Sequence, residues 1–509
     1  MKIISTKGFE SIIESTIANE GDQGVALMER TASSVTYEIV SRFLPKKRFV
    51  VFAGPGYNGS IALAVARMLI EQGYKLEIFL FNIKSMPIND ICRINRDKLL
   101  ELEDIDFTEI TTSVDFPYLS PEDVVIDGLF GTGLTAPLKG GFSVLIQYIN
   151  ESKPYVISID TPSGLLAEWN QSNDRRNIIK ANLTLALKTK RLAFFFSENE
   201  EYIGTCKIID IDYDNEAIRK APSNFTLIEE ADVRRVLRKR KEFSSKANYG
   251  SLLLVAGSHG MMGAAVLAAK AALRAGVGRI TAHTPKCGYY VIQNAVPEAC
   301  ANFDLDSTVV TEIKIDREYD AVALGPGLGV QDRTILAIDS LFKRYKRPCI
   351  IDADAINCIK ANQMLLSCIP PMSVITPHQN EFDGLFGKQN SDESRLCKAI
   401  SMAKRYKIII VLKGRYTMII RPDEKVYINS SGGPALATPG SGDVLTGIIG
   451  GLAAQGYELE LCAAMGVFIH GMAGDYADKT YGSYSVIASD IVDNIGPVIR
   501  DIMLRKENN

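Results

Sequence analysis

The chain has 509 residues, more than one hydrophobic core normally serves, so two domains are expected. With 46% hydrophobic residues, 23% charged residues and a formal net charge of -3, it offers no basic field for nucleic acid and no membrane-binding surface. The opening Met1-Lys2-Ile3-Ile4-Ser5 lacks the layout of a secretory leader, and no apolar stretch would span a bilayer, so a cytoplasmic protein is expected. Nine Cys occur without a CxxC pair and only four His could assist them, which favours buried, reduced thiols over a metal site.

In chain order, Phe49-Val50-Val51-Phe52-Ala53 reads as a short buried strand running into Gly54-Pro55-Gly56. A helical run from Ile61 to Glu71 and a strand from Leu76 to Phe81 follow. Val124 to Asp127 and Tyr155 to Asp160 repeat the plan of an apolar strand, a terminal Asp and a Gly-bearing loop. Such alternation predicts an α/β fold with a parallel, doubly wound sheet. Ligands of such sheets bind beyond the carboxyl ends of the strands, where Asp127 and Asp160 fall.

Between about 213 and 248 the pattern breaks. Arg234, Arg235, Arg238, Lys239, Arg240 and Lys241 there predict a basic helical connector with a solvated face. The second half opens on another strand and Gly loop, Ser251 to Ser258, and continues with strands at Val322–Leu324, Cys349–Ile351 and Ile408–Leu412. Gly257 to Ala265 precedes an Ala-rich helix, and Gly325-Pro326-Gly327-Leu328-Gly329 is a second flexible loop. His378 and Glu381 stand three residues apart, on one turn, and Lys413-Gly414-Arg415-Tyr416-Thr417 leaves a strand end with a cation and free amides.

The most informative run is Thr438-Pro439-Gly440-Ser441-Gly442-Asp443, ahead of the apolar Val444 to Gly450. Small residues at 440–442 let backbone N–H groups converge on an anion, and the helix that follows directs its dipole there. Asp443 is then a carboxylate beside a phosphate, placed to act as base on a phosphate acceptor. Four loops at carboxyl strand ends thus point to one crevice.

On these motifs residues 241–500 resemble the ADP- or ATP-dependent NAD(P)H-hydrate dehydratase family, a ribokinase-like fold. The match includes Asp352-Ala353-Asp354-Ala355 and His470-Gly471-Met472-Ala473-Gly474-Asp475. The resemblance implies a reduced nicotinamide cofactor damaged by hydration as substrate, and ADP or ATP as phosphoryl donor. It places nucleotide on Lys413, Gly414, Arg415, Tyr416, Thr417 and Gly442, and hydrate on Ala264, Gly327, His378 and Asp443. Asp443 is the expected catalytic base, Gly440, Ser441 and Gly442 the anion loop, and Glu381 a water-mediated Mg²⁺ ligand. The chain has Gly433 where the family usually has Asn, and Pro439 where it usually has Gly.

Residues 1–215 resemble the NAD(P)H-hydrate epimerase family, through Leu27 to Arg30, Gly54 to Gly59, Asp127 to Leu134 and Asp160 to Leu165. That resemblance places hydrate on Tyr57, Asn58, Gly59, Gly131, Thr132, Gly133, Leu134 and Asp160, and K⁺ on Asn58, Asp127 and Ser163. Departures are concentrated in the first Gly loop, where Tyr57, Ser60, Ile61 and Ala62 replace an Asn, a Gly, an Asp and a Gly. Bulkier residues there are expected to obstruct a pyrophosphate, and Arg191 stands where a Lys is usual. The expected layout is an epimerase-like domain at 1–215 with weak or lost activity, a connector at 216–240 and a dehydratase domain at 241–509. Family members often form homo-oligomers, which is expected here by resemblance alone. The other reading is a ribokinase-like kinase of a small vitamin alcohol, with a non-catalytic first half serving binding or assembly.

Overall fold

The computed structural model describes residues 1–22, 24–83, 86–112 and 116–505. It divides into two compact units. One comprises Lys2–Ser223 with Ser391–Glu393, the other Met1, Asn224–Asn390 and Ser394–Asn509.

In the first unit seven parallel strands follow the spatial order Asp106–Ile110, Leu76–Phe81, Phe49–Ala53, Val124–Gly128, Tyr155–Ile159, Leu183–Leu187 and Thr205–Ile209. The first strand in sequence lies inside the sheet, so the chain winds outward in both directions and its switch point falls between Phe49–Ala53 and Val124–Gly128. Both faces are covered. Phe49, Val51 and Ala53 join a core with the helices Val25–Val40 and Tyr57–Glu71, while Val50, Phe52 and Val125 join a separate core with the helix Gly141–Ser152. That double burial is why these strands are apolar throughout rather than alternating.

The helix expected from Ile61 begins four residues earlier, at Tyr57. A Cβ at Gly59 would come within 1.8 Å of the Gly54 carbonyl oxygen, and one at Gly54 within 1.8 Å of the Leu129 oxygen. These two glycines therefore let the helix start close against the strand ends. Ser60, Ile61 and Ala62 are consequently buried inside the unit, with Ile61 and Ala62 in its apolar core. Ile61 is thus a packing residue rather than an obstruction in an open phosphate loop.

The second unit is built on a sheet whose order runs Phe225–Ile228, Val426–Asn429, Met418–Ile420, Ile409–Leu412, Val374–Ile375, Ile350–Ile351, Ala321–Leu324, Ser251–Val255, Arg279–Thr284 and Cys300–Phe303. All pairs are parallel except the two made by Met418–Ile420. The helices Met262–Arg274, Ser441–Ala454, Leu459–Tyr481 and Ala488–Leu504 share one apolar layer with Leu252, Leu254, Ala323, Ile350 and Val411. The first two approach closely: a Cβ at Gly447 would lie 2.2 Å from the Ala268 oxygen, and one at Gly451 2.7 Å from the Ala272 oxygen. Glycines one turn apart thus form a seam that brings these helix backbones together.

The stretch 216–240 holds more order than a connector needs. Asn215–Lys220 is a short helix, Phe225–Ile228 is a sheet strand and Glu230–Val236 is a second helix. The basic run is not simply a solvated helical face either. The helix stops at Val236, the Arg238 guanidinium lies 4.4 Å from the Tyr457 ring centre, and that of Arg240 lies 3.9 Å from Tyr249. Of the nine cysteines four are buried, but Cys300 and Cys397 are exposed. Among the described residues no helix is long and apolar enough to cross a membrane.

Candidate active site

The helix Ser441–Ala454 starts after Gly440, whose φ of 86° is a left-handed value that Gly adopts without a Cβ penalty. The Ser441 amide already reaches the Thr438 carbonyl at 3.3 Å, so the amides of Gly442 and Asp443 are the first-turn donors left for an anion. Gly442 lies beside an ion pair: a Cβ there would stand in ordinary van der Waals contact with Lys413 Nζ at 3.4 Å and Asp352 Oδ2 at 3.8 Å.

Lys413 follows the strand Ile409–Leu412, and Asp352 follows Ile350–Ile351. Lys413 Nζ donates to Asp352 Oδ1 at 3.0 Å, and Thr446 Oγ1 donates to Asp352 Oδ2 at 2.5 Å. Burial alone would raise the Asp352 carboxyl, but the Lys413 charge and the hydrogen bonds from Thr376 and Thr446 hold it below the usual range. Burial disfavours the Lys413 ammonium, yet Asp352, Glu381 and Asp443 together keep it above its ordinary value.

Asp443 has the opposite environment. Burial raises its carboxyl to about 7, and the negative charges of Asp352 and Asp354 add to this against the opposing pull of Lys413. Among the described residues none donates a hydrogen bond to it. Two carboxylates beside one lysine are thus driven apart: Asp352 is the committed anion, and Asp443 exchanges its proton near neutrality.

The flanking loops are ordered by the same sheet. The backbone N–H of Gly329 donates to Asp354 Oδ2 at 2.9 Å and the Ser258 hydroxyl donates to the Gly327 carbonyl at 2.8 Å. A Cβ at Gly327 would lie 3.0 Å from Ala264 Cβ, so these two expected hydrate contacts pack side by side. His378 caps the helix Gln379–Phe386, its Nδ1 accepting from the amides of Asn380 and Glu381 at 3.1 and 3.2 Å. That leaves Nε2 to carry the ring proton. Glu381 returns the cap by accepting from the His378 amide at 2.8 Å, and its carboxylate lies 3.8 Å from Lys413. Burial raises the Glu381 carboxyl.

Lys413 to Thr417 form a turn in which the Thr417 hydroxyl donates to the Gly414 carbonyl at 3.1 Å. The Arg415 guanidinium donates to the Gly432 carbonyl at 2.6 Å and lies over the Tyr416 ring. The Gly432 amide in turn donates to Asp475 at 2.9 Å. Gly433 has open space, since a Cβ there would meet only Asp475 Oδ1, at 3.7 Å.

Sequence reasoning gave no role to Asp352, Thr446 or His470. Asp352 carried a usable signal, because it ends an apolar strand just as Asp127 and Asp160 do. His470 carried only its place in a motif shared with the dehydratase family, with no spacing that ties it to Ser441: it lies on the helix Leu459–Tyr481, buried, with Nε2 3.0 Å from the Ser441 hydroxyl, and burial lowers it to about 4.

In the other unit Asp160 has a φ of 66° and accepts from the Thr132 amide at 2.8 Å, the Thr132 hydroxyl at 2.5 Å and Arg191 Nη2 at 2.5 Å. Arg191 is fully buried, with its guanidinium carbon 4.0 Å from the centre of the Phe9 ring. The Tyr57 side chain turns into the core, where burial pushes its phenol up. Gly59 and Gly131 pack tightly, whereas a Cβ at Gly133 would meet nothing, and Leu134 is partly buried.

Asn58 Nδ2 donates to the Phe130 and Ile159 carbonyls at 3.0 and 3.2 Å. Asp127, fully buried and raised by that burial, accepts from the hydroxyls of Ser158 at 2.7 Å and Ser163 at 2.5 Å. Ser163 Oγ also lies 3.1 Å from the Phe130 oxygen. Turning the Asn58 amide over would complete an all-oxygen cluster from these groups, a donor set that suits a hard monovalent cation.

Residues 252–497 match the family described as NAD(P)H-hydrate dehydratase, and residues 24–193 the family described as YjeF-related protein N-terminus. A bifunctional NAD(P)H-hydrate repair enzyme from Moorella thermoacetica is 32% identical over 94% of this chain and 93% of its own length. One from Thermofilum pendens is 31% identical over 98% of this chain and 96% of its own. Among solved structures, a ribokinase-like superfamily protein from Enterococcus faecalis covers 55% of this chain and 98% of its own, at 25% identity and a TM-score of 0.50. The chain belongs to the family of bifunctional NAD(P)H-hydrate repair enzymes.

Proposed function

We propose that the unit containing Asp443 dehydrates the S form of hydrated NADH or NADPH at the expense of ADP or ATP. The observation that carries this reading is the placement of Asp443 in the first turn of a helix that starts after a left-handed Gly440, with burial raising its carboxyl to about 7. Hydroxide is a poor leaving group, so the ring hydroxyl is first phosphorylated. Asp443 accepts the proton of the ring hydroxyl as the hydroxyl oxygen forms a bond to phosphorus, while the amides of Gly442 and Asp443 carry the charge of the migrating group. The bond from phosphorus to the nucleotide oxygen breaks, leaving AMP from ADP or ADP from ATP. The ring nitrogen's lone pair then expels phosphate and a ring proton is lost, which restores the reduced nicotinamide.

Lys413 to Thr417 hold the nucleotide, and Ala264, Gly327 and His378 the hydrate. Glu381 Oε2 caps the helix and Oε1 lies 3.4 Å from His378 Nε2; a water-mediated Mg²⁺ would share this carboxylate and neutralise phosphate charge. Asn58, Asp127 and Ser163 would hold K⁺ in the other unit, fixing its strand-end loops. Family resemblance further supports assembly of like chains and a cytoplasmic location.

For the first unit we infer a retained fold with weak or lost epimerase activity. Asp160, expected to meet the hydrate, is already bound by Thr132 and by a guanidinium, which stays a cation and accepts no proton. Supplying each hydrate epimer separately to the full chain, with ADP or ATP, tests both readings. Recovery of reduced-nicotinamide absorbance with stoichiometric phosphate from the S epimer is expected, with R-epimer consumption at its spontaneous rate. A stable phosphorylated product would sink the dehydratase reading, and fast R-epimer consumption the degenerate-epimerase one.

A further inference from the structure

The Asp443 site accommodates the reacting ring of a hydrated nicotinamide dinucleotide, which leaves the adenosine half of that molecule to be placed. Order along the carboxyl edge of the sheet gives a direction. Lys413 stands beyond Ile409–Leu412; then come the ends of Val374–Ile375, Ile350–Ile351, Ala321–Leu324 and Ser251–Val255, and past them Arg279–Thr284 and Cys300–Phe303. The phosphoryl donor approaches from the Lys413 side. A dinucleotide whose ring lies near Gly327 therefore extends the other way.

On that far side is a cleft of about 550 Å³, within the roughly 300–1,000 Å³ usual for small-molecule sites. Ser258, Met261 and Gly329 line it, and they belong to the two loops that carry Ala264 and Gly327. Its opposite wall is Thr308, Asp332 and Arg333. The His259 amide donates to the Thr308 carbonyl at 2.7 Å, joining the walls at one end. Asp306 fixes the outer wall, accepting from the Thr308 amide at 2.8 Å, the Thr308 hydroxyl at 2.9 Å and Arg333 at 2.6 Å.

The lining suits a nucleoside. The Met261 thioether, 42% exposed, and the His259 imidazole offer faces for a purine. The Ser258 and Thr308 hydroxyls and the Asp332 carboxylate offer partners for ribose hydroxyls and an exocyclic amine. We propose that this cleft holds the adenosine half of the hydrated dinucleotide, as a purine subsite distinct from the nucleotide site at Lys413–Thr417. The assignment rests on the dehydratase reading above.

The test compares hydrated NADH with the hydrate of reduced nicotinamide mononucleotide, which lacks the adenosine half, on the full chain. Gln331 is exposed on the cleft wall and its side chain makes no cap hydrogen bond, so Gln331→Trp fills the cleft without removing a contact. This variant should raise KM for the dinucleotide hydrate at least tenfold, leaving the mononucleotide hydrate and ADP with unchanged KM. His259→Ala should raise KM for the dinucleotide hydrate alone, by a few-fold. Equal changes for both hydrates, or no change in either variant, would overturn the subsite while leaving the dehydratase reading intact. No dehydration of either hydrate by the unaltered chain would overturn the activity and the subsite together.

Discussion

Replacing Asp443 by Asn should remove activity and add stability, because one property of the site controls both. The folded carboxyl titrates at about 7 against an ordinary 3.8, a difference equivalent to about 4 kcal/mol. Below pH 3.8 the acid is protonated whether the chain is folded or not, and the folded state is not penalised. As pH rises from 3.8 to about 7 the unfolded chain loses its proton first, so stability falls over that window and stays low above it. Solvent screening reduces the effect, and Asp443→Asn should recover about 1–3 kcal/mol at pH 8.

At about 2–4 °C per kcal/mol, the gain should be visible in thermal melts at pH 8 and should shrink as the pH approaches 4. The same substitution removes the base, at a cost of about 10²–10⁴ in turnover. In the unaltered enzyme about one-tenth of Asp443 is ionised at pH 6 and about nine-tenths at pH 8. Accordingly kcat/KM for the hydrate, followed by reduced-nicotinamide absorbance, should rise roughly ninefold between those values. A flat profile across pH 6–8, or an Asn variant that turns over normally, would refute the assignment of Asp443.

Three further outcomes follow from the ion pairs and the buried imidazole. Lys413→Met should leave the buried Asp352 carboxylate unpaired and cost about 3–5 kcal/mol, with Asp352→Asn in the same chain restoring much of the melting temperature but not the activity. His470→Asn should lower kcat, and in a Ser441→Ala background should lower it little further; additive losses in this double-mutant cycle would mean that His470 does not act through the Ser441 hydroxyl. Asp160→Ala should strand the buried Arg191 and lower the stability of its unit by about 3–5 kcal/mol, with dehydratase kcat unchanged. A fall in R-epimer consumption in that variant would show that Asp160 still does chemistry.

The α/β plan was legible because several buried strands are apolar runs that end in Asp or Gly, as at Val124 to Gly128 and Tyr155 to Asp160. The Gly440 to Asp443 loop was legible for a similar local reason, since glycine and an acidic residue at a helix start leave a sequence trace, whereas the ribokinase-like architecture followed from the family resemblance. Contacts between distant elements leave none. The Lys413–Asp352 pair spans 61 residues and the His470–Ser441 contact 29, so neither follows from spacing. Ile61 illustrates the converse error. Its departure from the family pattern was visible, but whether it faced a ligand or the core depended on where the helix began, and close packing of Gly54 and Gly59 set that start.

The glycine seam between Ser441–Ala454 and Met262–Arg274 has a mechanical consequence. One helix carries Gly442 and Asp443, the proposed phosphoryl loop and base; the other begins beside Ala264, a proposed hydrate contact. Backbone contact at Gly447 and Gly451 leaves no compliant layer of side chains between them, so they move as one stiff strut. The reach from donor loop to acceptor is then set at folding rather than by closure around ligands, and substrates of the wrong length cannot be accommodated by flexing.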